Sequence, residues 1–124
     1  MAHILVMDDD PGILALVREA LKEEGHEVFI ALNGREGLEI FQRHSIQLVL
    51  TDIFMPELDG LGAMREILAL APQTRFIAFT GEGKEVGMDT FALNTAVRTG
   101  AHAVLEKPFG VNELVHQVET VLRG

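Results

Sequence analysis

The chain has 124 residues, 48% of them hydrophobic and 23% charged, which indicates one folded domain rather than two domains or a disordered chain. Its 19 acidic and 10 basic residues give a formal net charge of −9, which disfavours direct binding to nucleic acid or to an anionic membrane. Cysteine is absent, which excludes disulfides, thiolate metal sites and cysteine nucleophiles.

The start of the chain lacks the basic region of a signal peptide, and no apolar run approaches the length of a membrane span. We therefore expect a cytoplasmic domain that occupies residues 1–124.

The first half of the chain alternates short apolar runs with amphipathic segments. Strands are predicted at residues 3–7, 27–31 and 47–51, and helices at residues 13–21, 34–44 and 61–68. Asp10 followed by Pro11 is typical of a helix N-cap with proline at the first helical position. Gly25 is expected to close the first helix in a left-handed conformation. Asp59-Gly60 is interpreted as a turn that begins the third helix.

The second half continues the alternation. Strands are predicted at residues 75–79 and 103–106, and helices at residues 91–100 and 111–122. The glycine-rich, charged stretch 81–88 is predicted to be a mobile loop. Five strands alternating with five helices predict an α/β fold: a parallel sheet with right-handed crossovers and helices on both faces. Alternation alone does not determine the strand order.

Polar residues collect where the predicted strands end. Asp8-Asp9 follows the first strand, Asp52 the third, Thr80 the fourth and Lys107 the fifth. The carboxyl ends of parallel strands form the edge where ligands bind. Carboxylates gathered there repel one another unless a cation lies among them, and oxygen ligands of this kind suit Mg²⁺. With a lysine ammonium and a threonine hydroxyl added, the set is suited to phosphoryl chemistry with an aspartate nucleophile.

Four motifs carry a resemblance to a known family. They are Val6-Met7-Asp8-Asp9, Leu50-Thr51-Asp52-Ile53-Phe54-Met55-Pro56 with Asp59-Gly60, Phe79-Thr80, and Glu106-Lys107-Pro108-Phe109. In this order, and across essentially the whole chain, they resemble the receiver domain of two-component response regulators. The resemblance implies a flavodoxin-like fold with five helices and a parallel sheet of strand order 2-1-3-4-5.

The resemblance also implies roles for the site residues. Asp52 is expected to accept a phosphoryl group from a sensor histidine kinase or a phosphotransfer protein, which switches the face that binds a downstream partner. The expected Mg²⁺ ligands are Asp9, Asp52 and the backbone carbonyl of Phe54, with Asp8 acting through water. Lys107 is expected to pair with the phosphoryl group and to precede a cis peptide bond to Pro108, and Thr80 to hydrogen-bond the phosphoryl group. Such a domain is a signalling module, which catalyses only its own phosphorylation and slow dephosphorylation.

The chain departs from the family pattern in two places. Val104 stands where an aromatic residue often reports the phosphorylation state, and the stretch between Thr80 and Lys107 is longer than is typical. We expect the surplus, within residues 81–98, to alter partner choice. Phe54 and Glu82, each two residues beyond a site residue, are candidates for setting the lifetime of the acyl phosphate.

Two alternatives compete with the receiver interpretation. A Mg²⁺-dependent phosphatase of the haloacid dehalogenase type would use Asp8 as its nucleophile, since Asp8-Asp9-Asp10 fits its motif. That interpretation leaves Asp52 unexplained and lacks the acidic residues that the family needs after its lysine. An FMN carrier of the flavodoxin type is disfavoured because three aspartates would repel its phosphate, and because the chain has no Trp or Tyr to stack on the flavin.

The five histidines show no metal-ligand spacing, and none is assigned a role. No output segment follows Leu122, so we expect either a stand-alone receiver or one domain of a longer regulator. The sequence leaves open the cognate kinase, the output partner, the oligomeric state and the lifetime of the acyl phosphate.

Overall fold

Five parallel strands form the centre of the fold in a computed structural model, which describes residues 1–53, 58–80 and 88–124, with the backbone alone for residues 88–93. The strands are β1 (His3–Met7), β2 (Glu27–Ala31), β3 (Leu48–Asp52), β4 (Arg75–Thr80) and β5 (Ala103–Glu106). Their order in the sheet is β2-β1-β3-β4-β5, which confirms the order that the family resemblance implied. The predicted loop at 81–88 lies largely outside the described residues.

Five helices connect and cover the strands. They are α1 (Pro11–Glu23), α2 (Gly34–Arg43), α3 (Gly60–Leu70), α4 (Met88–Thr99) and α5 (Val111–Arg123). Within the described residues, no helix combines the length and apolar character needed to cross a bilayer.

Local sequence signals explain where these helices begin and end. The carboxylate of Asp10 accepts a hydrogen bond of 2.8 Å from the backbone N–H of Gly12, as predicted for the N-cap of α1. The carboxylate of Asp59 caps α3 in the same way, at 2.7 Å from the N–H of Gly62. Gly25 has a φ of 89° just beyond the end of α1, a conformation that a residue without Cβ adopts at little cost.

The two faces of the sheet bury separate hydrophobic clusters. One face packs against α1 and α5, and its largest side chain is Phe79; the other packs against α2 and α3 around Met7 and Phe76. A smaller cluster beneath α4 joins Ile53, Ala78 and Ala96. Because the inner strands are buried on both faces, they read as continuous apolar runs.

The connection between β3 and α3 is held tightly against the end of β3. The backbone N–H of Gly60 donates to the carbonyl of Ile53 at 2.9 Å. A Cβ on Gly60 would lie only 1.9 Å from the carbonyl oxygen of Asp52, which is far inside the contact distance. Glycine is therefore required here, at a point that fixes where the Asp52 backbone lies.

Gly60→Ala is expected to lower the free energy of unfolding by about 2 kcal/mol or more, because the added methyl group forces the backbone of β3 or of α3 to move. Urea unfolding followed by circular dichroism measures the change. Gly110→Ala is a matched control, since a Cβ at Gly110 meets no atom within 4 Å; we expect it to cost less than about 1 kcal/mol. Equal stability of Gly60→Ala and the unsubstituted chain would contradict the steric argument.

Candidate functional site

Three carboxylates meet at the carboxyl edge of the sheet. Asp8 and Asp9 directly follow β1, and Asp52 is the last residue of β3. Because β1 and β3 are neighbours in the sheet, one carboxylate oxygen from each of the three residues lies within 4.8 Å of the others. The structure thus brings together the acidic residues predicted to form the site.

Lys107 joins this cluster from the end of β5. Its Nζ donates to Asp8 Oδ2 at 2.6 Å and to Asp52 Oδ2 at 2.9 Å. Its backbone N–H donates to the carbonyl of Thr80 at 3.0 Å. The peptide bond between Lys107 and Pro108 is cis, as the family resemblance implied.

Burial differs strongly among the three carboxylates. Asp8 is 0% and Asp52 is 7% exposed, whereas Asp9 is exposed. Removal from water raises the pKa of Asp8 above 3.8, and this effect outweighs the hydrogen bond and charge of Lys107, which lower it. Burial lowers the pKa of Lys107, but its bonds to Asp8 and Asp52 outweigh burial and raise that pKa above 10.5. Lys107 is therefore a cation at neutral pH.

Asp8 and Asp9 differ in the hydrogen bonds of their carboxylates. Both oxygens of Asp8 are engaged: Oδ2 accepts from Lys107, and Oδ1 accepts from the backbone N–H of Asp10 at 2.9 Å. The carboxylate of Asp9 makes no hydrogen bond or ion pair with any described residue. In the part of the chain that the structure describes, the three clustered carboxylates are joined by a single ammonium, so the donor set suits a hard divalent cation with oxygen ligands.

Thr80 and Val104 lie where the sequence placed them. Thr80 ends β4 and is 6% exposed, beside Glu106 in the register of β4 and β5. Val104 is partly buried against the small cluster beneath α4. Two predicted site residues, Phe54 as a backbone ligand and Glu82 as a tuning residue, lie outside the described part of the chain.

An aromatic pair beside Lys107 was missed from the sequence. Phe79 is fully buried, and its ring centroid lies 5.8 Å from Nζ of Lys107. The ring of Phe109 stacks on that of Phe79 at a centroid distance of 5.2 Å and an interplanar angle of 29°. Both residues stood inside motifs used for the family resemblance. In the sequence, the pair is visible as one aromatic residue directly before Thr80 and a second aromatic residue two positions after Lys107.

Comparison with known proteins gives one consistent family. The family profile described as the response regulator receiver domain matches residues 4–119. The chain is 35% identical over 121 residues to the transcriptional regulatory protein GlrR of Escherichia coli K12, covering 98% of this chain and 26% of GlrR. It is 32% identical over 124 residues to the chemotaxis protein CheY of Bacillus subtilis, covering 98% of this chain and 99% of CheY.

Solved structures agree with the sequence matches. The crystal structure of NtrX from Brucella abortus superposes with a TM-score of 0.90 at 32% identity, covering 98% of this chain and 27% of NtrX. The chain therefore spans about a quarter of the length of GlrR and of NtrX, and nearly all of CheY.

Proposed function

The chain belongs to the response regulator receiver domain family of two-component signalling, and from this premise we propose that Asp52 is the residue that accepts the phosphoryl group. The observation that carries the proposal is the position of its carboxylate, which lies 2.9 Å from the ammonium of Lys107 and within 4.8 Å of two further carboxylates. Nothing in the structure or the comparisons supports the alternative phosphatase that would use Asp8.

Burial supports Asp52 rather than Asp8 as the nucleophile. Asp8 is fully buried and both of its oxygens are held by Lys107 and the backbone of Asp10. Asp52 retains some exposure at the open edge of the sheet. A donor that approaches this edge therefore reaches Asp52 more readily than it reaches Asp8.

In the proposed reaction, a carboxylate oxygen of Asp52 attacks the phosphorus of a phosphohistidine on a kinase or phosphotransfer protein. The new oxygen–phosphorus bond forms as the nitrogen–phosphorus bond breaks, and the imidazole leaves and takes up a proton. Lys107 is already within hydrogen-bond distance of Asp52, so its ammonium can pair with the negative charge of the new acyl phosphate. We further propose that the hydroxyl of Thr80, the last residue of β4, donates to a phosphoryl oxygen.

The donor set fits Mg²⁺, which such domains generally bind at an acidic pocket. We propose that Asp9 and Asp52 bind the ion directly together with the backbone carbonyl of Phe54. Asp8 acts through water, since its two oxygens already have partners. When bound, the ion neutralises charge on the phosphoryl oxygens and orients them.

Mg²⁺ affinity is expected to fall as the pH is lowered towards the raised pKa of Asp8. The pKa of Asp8 is higher in the folded state than in the unfolded chain. Protonation of Asp8 therefore stabilises the fold, and this contribution is fully present below pH 3.8, the ordinary pKa. It is lost as the pH rises through the pKa of the folded state. A cation prefers the ionised form, so acid competes with it. Calorimetric titration with MgCl₂ at a series of pH values from about pH 7 downwards, each one at which circular dichroism shows a folded protein, measures the change. An affinity that stays constant across the whole series would contradict the expectation. Asp59→Asn, which removes an exposed carboxylate outside the site, serves as the control.

We propose a single receiver domain over residues 1–124, located in the cytoplasm. Its partners would be a sensor histidine kinase or phosphotransfer protein and a downstream protein or output domain, with no direct contact to nucleic acid or membrane. Its chemistry would be limited to its own phosphorylation and slow dephosphorylation. The similarity to GlrR, which is described as a transcriptional regulatory protein, supports an output in gene regulation, whereas the similarity to CheY, which is described as a chemotaxis protein, supports an output in chemotaxis.

The proposal is tested by incubating the protein with Mg²⁺ and acetyl phosphate. We expect one phosphoryl group per chain by intact mass. It should form only with Mg²⁺, and it should not form when a chelator removes the ion before the donor is added. Repeated rapid turnover of the donor, with no accumulated phosphoprotein, would instead indicate a phosphatase and contradict the proposal.

A further inference from the structure

Lys107 is supported by an aromatic pair on the face of the sheet that packs against α1 and α5. Phe79 belongs to the hydrophobic cluster of that face, and Phe109 packs against the same cluster. Val104, the position where an aromatic residue is common in the family, lies against the opposite cluster beneath α4. The aromatic contact to the site therefore comes from the other side of the sheet.

The ammonium of Lys107 has three contacts with side chains of the described residues. Two are its hydrogen bonds to Asp8 and Asp52; the third is the ring of Phe79, 5.8 Å from Nζ to the centroid. A cation within about 6 Å of a ring centroid is attracted to the face of the ring, and the attraction grows as water is excluded. The Lys107 side chain is 11% exposed, so this contact is largely shielded from solvent.

The ring of Phe79 is itself held in place by Phe109. Phe79 neighbours Asp52 on β3 and Leu105 on β5 in the sheet, so its backbone cannot shift without moving the end of β3. Its ring is stacked on Phe109 at 5.2 Å. Phe109 follows Lys107 by two residues and precedes Gly110, the N-cap of α5. One aromatic stack thus connects the site lysine to the start of α5.

We propose that Phe109 is a positioning residue for phosphoryl transfer, which acts by stacking on Phe79 and so holding the Lys107 ammonium against Asp8 and Asp52. The proposal rests on the proposed role of Asp52. When the stack is lost, the ring of Phe79 is free to tilt, and the lysine samples positions farther from Asp52. The transfer reaction then slows although every group that touches the phosphoryl group remains present.

The test compares Phe109→Leu with Phe29→Leu. Phe29 is a matched control because it is also partly buried and also stacked, on His44 at 4.3 Å and 29°, but it packs against the opposite cluster. Phe109→Tyr keeps the ring and serves as the conservative variant. Urea midpoints establish that the two leucine variants lose comparable stability and remain folded.

The first readout requires no phosphorylation. Nζ of Lys107 lies 5.8 Å from the centroid of the Phe79 ring, so we expect the ring current of Phe79 to shift the NMR resonances of the adjacent ε-methylene protons. We expect Phe109→Leu to move them towards the position of an exposed lysine, and Phe29→Leu and Phe109→Tyr to leave them in place. Unchanged Lys107 resonances in Phe109→Leu would overturn the proposal.

The second readout is the rate of phosphorylation by acetyl phosphate with Mg²⁺. We expect Phe109→Leu to be slower by about threefold, less than the loss of a whole shielded cation–ring contact, because the substitution loosens the contact between Lys107 and Phe79 without removing it. The two other variants should match the unsubstituted chain. A moved resonance with an unchanged rate would also overturn the proposal. If the unsubstituted chain accepts no phosphoryl group, the role of Asp52 fails instead, while the resonances still report whether Phe109 positions Lys107.

Discussion

The Asp52→Asn variant is expected to keep its fold and to accept phosphoryl groups at least about 10³-fold more slowly, the scale of loss that follows removal of a nucleophile. An amide oxygen does not form the acyl phosphate. It can still accept the hydrogen bond that Lys107 Nζ now donates at 2.9 Å. Because one of three mutually repelling carboxylates is removed, the free energy of unfolding should stay within about 1 kcal/mol.

The measurement is the rate of phosphoprotein formation with acetyl phosphate and Mg²⁺. Asp59→Asn is the matched control, since Asp59 is an exposed aspartate that caps α3 and asparagine caps helices equally well. It should be phosphorylated at the same rate as the unsubstituted chain. Phosphorylation of Asp52→Asn at that rate would mean that another residue accepts the group.

Lys107→Ala is expected to weaken both the fold and the reaction. Removing the ammonium leaves Asp8, which is 0% exposed, beside Asp52 without its cationic partner. Truncation of one member of a buried ionic cluster costs about 3 kcal/mol. The phosphorylation rate should fall by about 10²-fold, as when one group that stabilises developing charge is removed. Mg²⁺ should bind more tightly, since a competing cation has gone.

Three measurements check this prediction: urea unfolding without Mg²⁺, the phosphorylation rate, and calorimetric titration with MgCl₂. Lys22→Ala is the control, because Lys22 is an exposed residue in the last turn of α1. Lys107→Arg keeps the charge and should recover most of the lost stability. A Lys107→Ala variant with an unchanged free energy of unfolding and an unchanged phosphorylation rate would show that the contacts of Lys107 contribute to neither.

Most of the fold follows from local sequence signals. The continuous apolar runs of the inner strands and the helical spacing between them predict the element order. Asp10 and Asp59 predict the helix starts, because a carboxylate satisfies backbone N–H groups that the first turn leaves unpaired. The order β2-β1-β3-β4-β5 is a long-range property, since strands far apart in sequence must pair. It came from the family resemblance rather than from the pattern.

The membership of the site was predictable, but its internal contacts were not. The carboxyl ends of parallel strands share one edge, so Asp8, Asp9 and Asp52 could be expected to meet there with Thr80 and Lys107. Nothing in the sequence states that both oxygens of Asp8 are engaged while Asp9 faces solvent. That difference depends on backbone geometry after β1, where the N–H of Asp10 turns back to Asp8.

The sequence indicates no role for two phenylalanines and two histidines, because their contacts join residues that are far apart in the chain. Phe79 and Phe109 look like ordinary core residues until β4 and the start of α5 are placed side by side. His26 and His102 resemble surface histidines in the sequence. In the structure, Nδ1 of each accepts a backbone N–H, from Ala2 at 3.0 Å and from Phe76 at 3.1 Å, at the starts of β1 and β4. Such contacts depend on which strands are neighbours.

The most direct test of the central claim is to locate the acyl phosphate. The protein is phosphorylated with acetyl phosphate and Mg²⁺, the mixed anhydride is reduced with borohydride, and the modified residue is identified by peptide mapping. We predict modification at Asp52, in a peptide distinct from the one that carries Asp8 and Asp9. Modification at Asp8, or none at Asp52 in a protein that has gained a phosphoryl group, would contradict the account.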